Sequence, residues 1–406
     1  MIFFPFAKGR KLLTIRKKLE TSHRSQALGL SGIREIFEKA QKIPDVIRLE
    51  FGEPDFDTPS NIKNAAIRAI NNGFTKYSSS SGIPELRNAI SNKLKKDNKV
   101  EYDPAGEVVV TAGATVAINL ALQATLDVGD EILVPDPGWA TYVHAVNLVG
   151  AKPVLYPLLE TQDFQFTLES VERKVGPKTK AILINTPANP MGSILSRKSI
   201  QEIAEFAIRH DLYVLADEVY EKFLYQDEVS NEHISIASLN EMKERTVTIN
   251  ALSKTYAMTG WRIGYAAASA SVAGAMTRIN AAASSCVSTI TQYAALEALT
   301  GPQDSVFKMI SAFSERRKIL VKGLNEFDGF SCSMPKGAFY AFPNIKGTGI
   351  GSKDLAMKII DEAHVATVPG SAFGNQGEGY LRVAYANSVE NIHDALERMK
   401  KRLPLK

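Results

Sequence analysis

Asn250-Ala-Leu-Ser-Lys-Thr-Tyr-Ala-Met-Thr-Gly-Trp-Arg-Ile-Gly264 is the stretch of this chain that decides its fold. It follows a predicted strand, Thr246–Ile249, and places the amine of Lys254 eight residues before the guanidinium of Arg262. An aldehyde cofactor requires an amine that holds it and an anion site that holds its phosphate. A Ser-Lys pair alone is more often part of a solvated loop, but this combination favours a Schiff-base site.

Strand-like and helix-like segments alternate on both sides of this stretch. Between several short β-rich runs lie helical patterns such as Ile200–Ile208, in which apolar residues recur at helical spacing. Alternation of this length predicts a largely parallel sheet that helices cover on both faces, with ligands at the carboxyl ends of the strands. The predicted strands are Val108–Thr111, Glu131–Pro135, Pro153–Tyr156, Ala181–Asn185, Tyr213–Ala216, Thr246–Ile249 and Arg262–Ala267.

After about residue 300 the pattern changes to that of a smaller α+β domain. A long charged helix is predicted near Ser305–Phe327 and a terminal helix from about Val389. Between them lie β-like runs at Ala338–Phe342 and Tyr380–Tyr385, and another such run, Val46–Phe51, precedes the central sheet. The segments after residue 300 look like a smaller α+β domain.

Composition and charge restrict the classes of function. The chain has 406 residues and a net charge of +4, but its first 24 residues alone carry seven basic residues against one acidic residue. The remaining residues together are therefore slightly acidic and lack the excess positive charge that binds nucleic acid. Cys286 and Cys332 lie far apart, and the histidines are scattered, so we expect a reducing compartment and no protein metal site. Because no run is apolar enough to span a membrane, we expect a soluble cytoplasmic protein without a membrane partner.

The run from Ser253 to Gly264 closely resembles the lysine-site signature of the class I/II aminotransferases, which are fold type I enzymes that depend on pyridoxal 5'-phosphate (PLP). Further motifs follow in the family's order from about Ser31 to Met399. The resemblance implies an α/β fold with a large domain, whose mostly parallel central sheet is sandwiched by helices, and a smaller α+β domain. The implied division is a basic N-terminal extension at residues 1–28, a large PLP-binding domain at 61–300, and a small domain at 29–60 and 301–406.

Four residues are assigned to the cofactor ring beside Lys254, which the resemblance makes the Schiff-base lysine and the acid–base catalyst. Asp217 directly follows a predicted strand, and a buried carboxylate there would favour a protonated pyridine nitrogen. The resemblance assigns the phenol of Tyr220 and the amide of Asn189 to the ring oxygen, and Trp139 to stacking on the ring. Lys254, Asp217 and Tyr220 are therefore the predicted catalytic residues.

A phosphate site is predicted where a strand turns into a helix. Gly113, Ala114 and Thr115 lie between the strand Val108–Thr111 and a helical pattern, so their backbone N–H groups would face a bound anion. Ser253 adds a hydroxyl to this site and Arg262 adds a cation. Strand-Gly-helix turns are common, so Gly113 alone would be a weak signal.

Substrate binding and assembly rest on the resemblance. Arg382, in Tyr380-Leu-Arg-Val-Ala-Tyr385, matches the arginine that binds the substrate α-carboxylate in two hydrogen bonds, a role that lysine fills poorly. Gly52 would let the backbone approach the same substrate, which Trp139 and Asn189 also contact. Tyr77 matches a tyrosine that reaches the phosphate in the neighbouring subunit, which implies a homodimer with shared active sites.

The implied reaction transfers the amino group of an L-amino acid, aspartate or an aromatic one, to 2-oxoglutarate by a ping-pong mechanism. The runs Ser31-Gly-Ile-Arg34, Val368-Pro-Gly-Ser-Ala-Phe-Gly374 and Gly377-Glu-Gly-Tyr380 look like those of archaeal and bacterial aspartate/aromatic aminotransferases. Some aspartate-selective relatives carry a lysine at the position of Thr115, and its absence favours a broader range of substrates. The implied partners are small molecules, namely amino acids and 2-oxo acids.

Other functions stay open at this point. A PLP-dependent C–S lyase that acts on cysteine conjugates would share the fold and the lysine site, and an aminotransferase could prefer alanine or kynurenine. A non-catalytic regulator would carry an additional DNA-binding domain, for which the N-terminal segment is expected to be too short. The run Gly347-Thr-Gly-Ile-Gly-Ser352 resembles a dinucleotide-binding loop, but it has a serine where the third glycine belongs.

Overall fold

The computed structural model describes residues 20–26, 32–226 and 232–403, so most of the extension predicted at residues 1–28 lies outside the described residues. The seven strands predicted for the central sheet are confirmed, and their ends differ from the prediction by at most two residues. The strands are β1 Ile47–Arg48, β2 Val108–Thr111, β3 Glu131–Asp136, β4 Lys152–Pro157, β5 Thr179–Asn185, β6 Tyr213–Asp217, β7 Thr246–Ala251, β8 Gly264–Ala267, β9 Tyr340–Ala341, β10 Val365–Ala366, β11 Val368–Pro369 and β12 Leu381–Ala384.

The central sheet has the order β2-β8-β7-β6-β5-β3-β4 in the described part of the chain. All of its strands run in one direction except β8, which pairs antiparallel with both β2 and β7. In β6 and β7 almost every side chain is buried, because helices cover both faces of the sheet. The predicted, mostly parallel sheet between helices is therefore confirmed.

A capping side chain marks the start of one predicted helix. The helix predicted around Ile200–Ile208 is present as α8, which begins after Ser196, whose side chain accepts a hydrogen bond from the N–H of Ser199. Among the described helices, none is long and apolar enough to cross a membrane. The helices are α1 His23–Gln26, α2 Gly32–Ala40, α3 Ser60–Asn71, α4 Pro84–Lys93, α5 Ala114–Thr125, α6 Thr141–Val149, α7 Leu168–Glu172, α8 Arg197–Arg209, α9 Leu252–Thr255, α10 Ala270–Ser284, α11 Thr289–Thr300, α12 Asp304–Leu324, α13 Ser352–Lys358 and α14 Val389–Arg402.

The remaining strands form two small sheets. β11, β12 and β9 form an antiparallel sheet in that order, and β1 pairs with β10 in parallel. α12 and α14 pack together over this region, and their buried faces share one hydrophobic core with β9, β10 and β12. The predicted helices near Ser305–Phe327 and Val389 are thus confirmed, whereas the domain limits at residues 60/61 and 300/301 stay predictions.

The carboxyl ends of β5, β6 and β7 lie side by side at one edge of the central sheet. Asn185 at the end of β5 is paired with Asp217 at the end of β6, and Asp217 is paired with Ile249 of β7. The loop that carries Asn189 follows β5, and α9, which carries Lys254, directly follows β7. The parallel topology therefore brings three distant segments of the chain to one place.

Candidate active site

A cavity of about 400 Å³ opens at this edge of the sheet, within the range of roughly 300–1,000 Å³ that small-molecule sites occupy. Most of the site residues predicted from the sequence line it. The predicted residues in its wall are Gly52, Ala114, Thr115, Trp139, Asn189, Asp217, Tyr220, Ser253, Lys254, Arg262 and Arg382.

Two predicted residues do not line the cavity of the same chain. Gly113 lies directly behind its wall, where a Cβ atom added to it would be 2.7 Å from Nη2 of Arg262. Tyr77 lies on the outer surface and is 89% exposed. The roles predicted for individual residues stay predictions, but the structure brings all of them except Tyr77 to one place.

Lys254 points its amine into the cavity and donates a hydrogen bond to the backbone carbonyl of Gly52. Burial lowers the pKa of Lys254 from its ordinary 10.5 to about 8, and the positive charges of Arg382 and Arg262 act in the same direction. The carboxylate of Glu53 opposes this shift. A substantial fraction of the amine is therefore neutral near pH 7–8, and a neutral amine is the form that attacks a carbonyl carbon.

Asp217 is buried at the end of β6, and its carboxylate is held from two sides. It accepts a hydrogen bond of 2.7 Å from the hydroxyl of Tyr142 and one of 3.2 Å from the N–H of Val219. Burial raises the pKa of Asp217 from its ordinary 3.8 to about 6, although the bond from Tyr142 partly offsets the effect of burial. A cation in the cavity beside this carboxylate would restore its charged form.

Arg382 is 3% exposed, yet among the described residues it forms no ion pair with a carboxylate. It donates hydrogen bonds of 2.6 Å to the backbone carbonyl of Glu50 and 3.1 Å to Oδ1 of Asn189. Its Nε is buried and has no partner among the described groups. The carboxylate of Glu50 acts on this guanidinium electrostatically but is paired directly with Arg48, and a buried guanidinium without a direct carboxylate partner is costly unless an anion completes it. The arrangement therefore favours a carboxylate ligand.

The start of α5 offers a second place for an anion. No side chain caps this helix and its first turn contains no acidic residue, so its first N–H groups face the cavity uncompensated. Gly113 has a φ of +91°, and any side chain there would collide with the guanidinium of Arg262. Arg262 donates a hydrogen bond of 3.0 Å to the carbonyl of Thr259 and has no carboxylate partner among the described residues. This half of the cavity therefore fits a phosphate group.

The sequence analysis missed two tyrosines that contact predicted site residues. Tyr142 lies in the same run as Trp139, three residues later, and its ring packs edge-on against that of Trp139 with centroids 5.4 Å apart. Tyr340 lies in a predicted strand without any motif, so no sequence signal marked it. Other side chains that line the cavity without having been predicted are Phe37, Glu50, Phe51, Glu53, Asn185, Val219, Ala251 and Thr259.

A second buried charged cluster lies behind Asp217. Carboxylate oxygens of Glu218 and Glu221 and a ring nitrogen of His233 lie within 4.8 Å of one another. The ammonium of Lys93 bonds to Glu221, and the amide of Asn98 donates bonds of 2.8 Å to both carboxylates. Because donors from the protein already occupy these oxygens, the cluster is a structural network in the described part of the chain.

The fold is that of the fold type I PLP-dependent transferases, with a lysine, a buried carboxylate and two arginines in the wall of one cavity at the edge of the sheet. Residues 44–399 match the model of the family Aminotransferase class I and II, and the chain belongs to this family. It is an aspartate aminotransferase-like transaminase. The resemblance inferred from the lysine-site run is therefore confirmed.

Similar proteins include enzymes named for different amino acids. An aspartate aminotransferase of Pyrococcus abyssi is 46% identical over 382 residues, which cover 94% of this chain and 97% of that protein. Aromatic-amino-acid aminotransferase 2 of Thermococcus litoralis is 45% identical with the same coverage. A solved structure of aspartate aminotransferase from Thermus thermophilus with maleate has a TM-score of 0.89 and 36% identity, covering 95% of this chain and all of that one. These relatives thus belong to one family and differ in the amino acid for which they are named.

Proposed function

We propose that this protein is a PLP-dependent aminotransferase that moves the amino group of an L-amino acid, aspartate or an aromatic one, to 2-oxoglutarate by a ping-pong mechanism through a Lys254 Schiff base. One observation carries the proposal. The amine of Lys254, with its lowered pKa, shares a cavity with the buried guanidinium of Arg382 and with the uncapped start of α5. A nucleophile, a carboxylate site and a phosphate site are the three features that this reaction requires.

The residues that line the cavity offer a chemical partner to each functional group of PLP. Asp217 would face the pyridine nitrogen, where its negative charge favours the protonated ring, and the ring would then withdraw electrons from the amino acid when PLP is bound. Tyr220 and Asn189 would donate hydrogen bonds to the ring oxygen, and Trp139 would stack on the ring. The groups proposed to hold the phosphate are the N–H groups of Ala114 and Thr115, the hydroxyl of Ser253 and the guanidinium of Arg262, with Gly113 leaving room for them.

Each half-reaction would use the same side chains of this chain. Arg382 binds the α-carboxylate in two hydrogen bonds and so fixes the Cα–H bond relative to Lys254. The amine of Lys254 would act as the base that accepts the Cα proton and as the acid that gives it up again. Throughout the reaction, Asp217 would keep its negative charge and Tyr220 would keep its hydrogen bond. Because amino acid and 2-oxo acid bind to the same arginine, they would occupy the site in turn rather than together.

A homodimer is part of the proposal, as is the division into a large domain at residues 61–300 and a small domain at 29–60 and 301–406. Support for the dimer comes from Tyr77, which is highly exposed in one chain and lies outside its own cavity. Ile67, Ile70 and Phe74 precede it in the chain and are exposed as well. Large exposed apolar side chains near one another are typical of a protein interface.

The experiment that tests the function is the absorbance of the PLP-loaded protein while single amino acids are added, first without and then with 2-oxoglutarate. A donor should convert the bound cofactor to its amine form, and 2-oxoglutarate should restore the original spectrum. A comparison of aspartate, tyrosine, phenylalanine and alanine would rank the donors. Release of pyruvate and ammonia without a 2-oxo acid would instead assign the protein as a lyase.

The pKa of Lys254 gives a prediction for the cofactor-free protein. Because only the neutral amine attacks an aldehyde, the rate of coupling to added PLP should rise with pH, reach half its maximum near pH 8 and level off above it. Stopped-flow absorbance at a series of pH values measures this rate, and Lys254→Ala gives the background from other amines. A rate that still climbs steeply at pH 10 would contradict the lowered pKa.

Arg382→Lys should lower kcat/KM by about 10²-fold for every amino acid and 2-oxo acid, mostly through a higher KM. Lysine keeps the positive charge but cannot form the two parallel hydrogen bonds to a carboxylate. Steady-state kinetics with two donors and two acceptors measure the effect. Arg87→Lys is the matched control, since the Arg87 guanidinium bonds to the backbone carbonyls of Pro104 and Ala105 away from the cavity. Values of KM within about threefold of the wild type, a difference of less than 1 kcal/mol, would remove Arg382 from carboxylate binding.

A further inference from the structure

Tyr340 lies where several predicted site residues meet. It is 1% exposed, and its hydroxyl oxygen lies 2.8 Å from that of Tyr220. A Cβ atom added to Gly52, whose carbonyl accepts the hydrogen bond from Lys254, would be 2.6 Å from the same hydroxyl. The guanidinium carbon of Arg382 lies 4.7 Å from the centre of its ring. One side chain thus contacts the proposed ring-oxygen donor and the proposed carboxylate site.

We infer that Tyr340 is a positioning residue whose hydroxyl and ring have separate roles. The hydroxyl directs the O–H of Tyr220 into the cavity, and the ring holds the guanidinium of Arg382 in place. The inference rests on the proposed function, because that function gives Tyr220 and Arg382 their roles in amino transfer. Tyr340 itself need not contact the reacting atoms.

The direction of the hydrogen bond follows from the surroundings of the two hydroxyls. Each phenol has a single hydrogen to donate, so only one of the two can donate in this pair. The positive charge of Arg382 over the ring of Tyr340 makes the Tyr340 hydroxyl the more acidic partner, and hence the better donor. Tyr220 then accepts this bond and keeps its own hydrogen for an acceptor in the cavity. Without Tyr340, the hydroxyl of Tyr220 would lose the partner that orients it.

The rings of the two tyrosines are also locked. They meet edge-on, with centroids 5.7 Å apart and an angle of 81°, and Tyr220 meets Phe339 edge-on at 5.4 Å. Both tyrosines are buried. Since neither ring can turn freely in a packed interior, the two hydroxyl oxygens are held at hydrogen-bond distance from each other.

The strand register explains the contact with Arg382. In the antiparallel pair of β9 and β12, Tyr340 lies opposite Ala384, so Arg382 is its diagonal neighbour on the same face. Phe373 contacts the guanidinium at 5.0 Å, so two aromatic rings hold it while Asn189 and the Glu50 carbonyl accept its hydrogen bonds. The ring of Tyr340 therefore restricts Arg382 even when the hydroxyl is removed.

Two substitutions separate the two parts in the full-length, PLP-loaded protein. Tyr340→Phe removes only the hydroxyl, whereas Tyr340→Leu removes the ring as well. Tyr156→Phe is the matched control, because Tyr156 is buried, its hydroxyl bonds to the carbonyl of Leu183 at 2.9 Å, and it does not line this cavity. The readouts are kcat and KM for donor and acceptor, the pH titration of the cofactor absorbance, and the Kd of maleate as a carboxylate probe.

Tyr340→Phe should lower kcat by up to about tenfold, as expected for one buried hydrogen bond, and should shift the midpoint of the absorbance titration upward, with KM and the Kd of maleate nearly unchanged. Tyr340→Leu should in addition raise KM and the Kd of maleate by about tenfold. In a Tyr220→Phe background, Tyr340→Phe should have no further effect on kcat or on the titration, because both changes remove the same hydrogen bond.

The outcomes distinguish this inference from the proposed function. If Tyr340→Phe matches Tyr156→Phe in kcat and titration midpoint, or if its effect persists fully in the Tyr220→Phe background, the role of the hydroxyl is overturned. If Tyr340→Leu leaves KM and the Kd of maleate at the level of Tyr340→Phe, the role of the ring is overturned. A wild-type spectrum that no amino donor changes would refute the proposed function itself, whatever the variants do.

Discussion

Lys254→Ala should lower the rate of amino transfer by about 10⁴-fold, the largest effect that we expect from any single substitution. The change removes both the amine that holds the cofactor and the base that moves the Cα proton, and no other described lysine lines the cavity. The groups proposed to bind the phosphate are unchanged, so the variant should still bind PLP, but without a covalent bond.

Single-turnover absorbance with an added amino donor measures this loss. Reduction with borohydride followed by mass spectrometry tests the attachment, since it should fix PLP to residue 254 of the wild type and leave the variant free of it. Lys308→Ala, at an exposed position on α12, should behave as the wild type in both assays. A variant that keeps more than a tenth of the wild-type rate, less than 1.4 kcal/mol in barrier height, would exclude Lys254 as the base.

Asp217→Asn should lower kcat/KM by about 10³-fold, since removing one partner of a buried charge pair typically costs 3–5 kcal/mol. Asparagine has the same shape and can still accept the hydrogen bond from Tyr142, but it carries no charge to favour a protonated pyridine nitrogen. Steady-state kinetics with saturating PLP measure the effect. A loss of less than about tenfold, below 1.4 kcal/mol, would show that the charge of Asp217 is not used.

The same variant tests the raised pKa of Asp217 in the cofactor-free protein. Because the pKa of Asp217 is about 6 in the folded state and 3.8 ordinarily, the folded state binds the proton more tightly. The stability that this group contributes is present below about pH 4 and is lost as the pH rises to about 6, by roughly 3 kcal/mol in all. Asparagine does not titrate, so Asp217→Asn should gain stability relative to the wild type across that window.

Denaturant unfolding of both cofactor-free proteins at pH 4 to 8 measures this difference. Tyr142→Phe is a useful companion, because loss of its hydrogen bond should raise the pKa of Asp217 further and move the step to higher pH. A difference between Asp217→Asn and the wild type that does not change with pH would contradict the shift.

The strands and the lysine site were predicted from local patterns in the sequence. The strands β2 to β8 were found from short β-rich runs, because a sheet buried on both faces requires continuous apolar runs whatever lies around it. Lys254, Asp217 and Asn189 were assigned through the family resemblance, and each also follows a strand of this sheet, where parallel strands bring their carboxyl ends together. The start of β8 was predicted at Arg262 but lies at Gly264, because Arg262 has a left-handed backbone that ends a turn before the strand begins.

Long-range packing decided what the sequence could not. Tyr142 and Tyr340 contact Asp217 and Tyr220 across 75 and 120 residues of chain, and neither belongs to a motif that signals such a contact. Arg382 was found through a family resemblance, but its burial between two aromatic rings depends on the register of β9 and β12.

The sequence by itself determined the alternating architecture, the family and the chemical groups of the site, because these depend on local periodicity and on motifs within single segments. The tertiary structure alone decided which side chains hold those groups in place and how their pKa values shift. Hydrogen-bond direction, ring stacking and burial arise only when Gly52, Tyr340 and Arg382, far apart in the chain, are packed against one another.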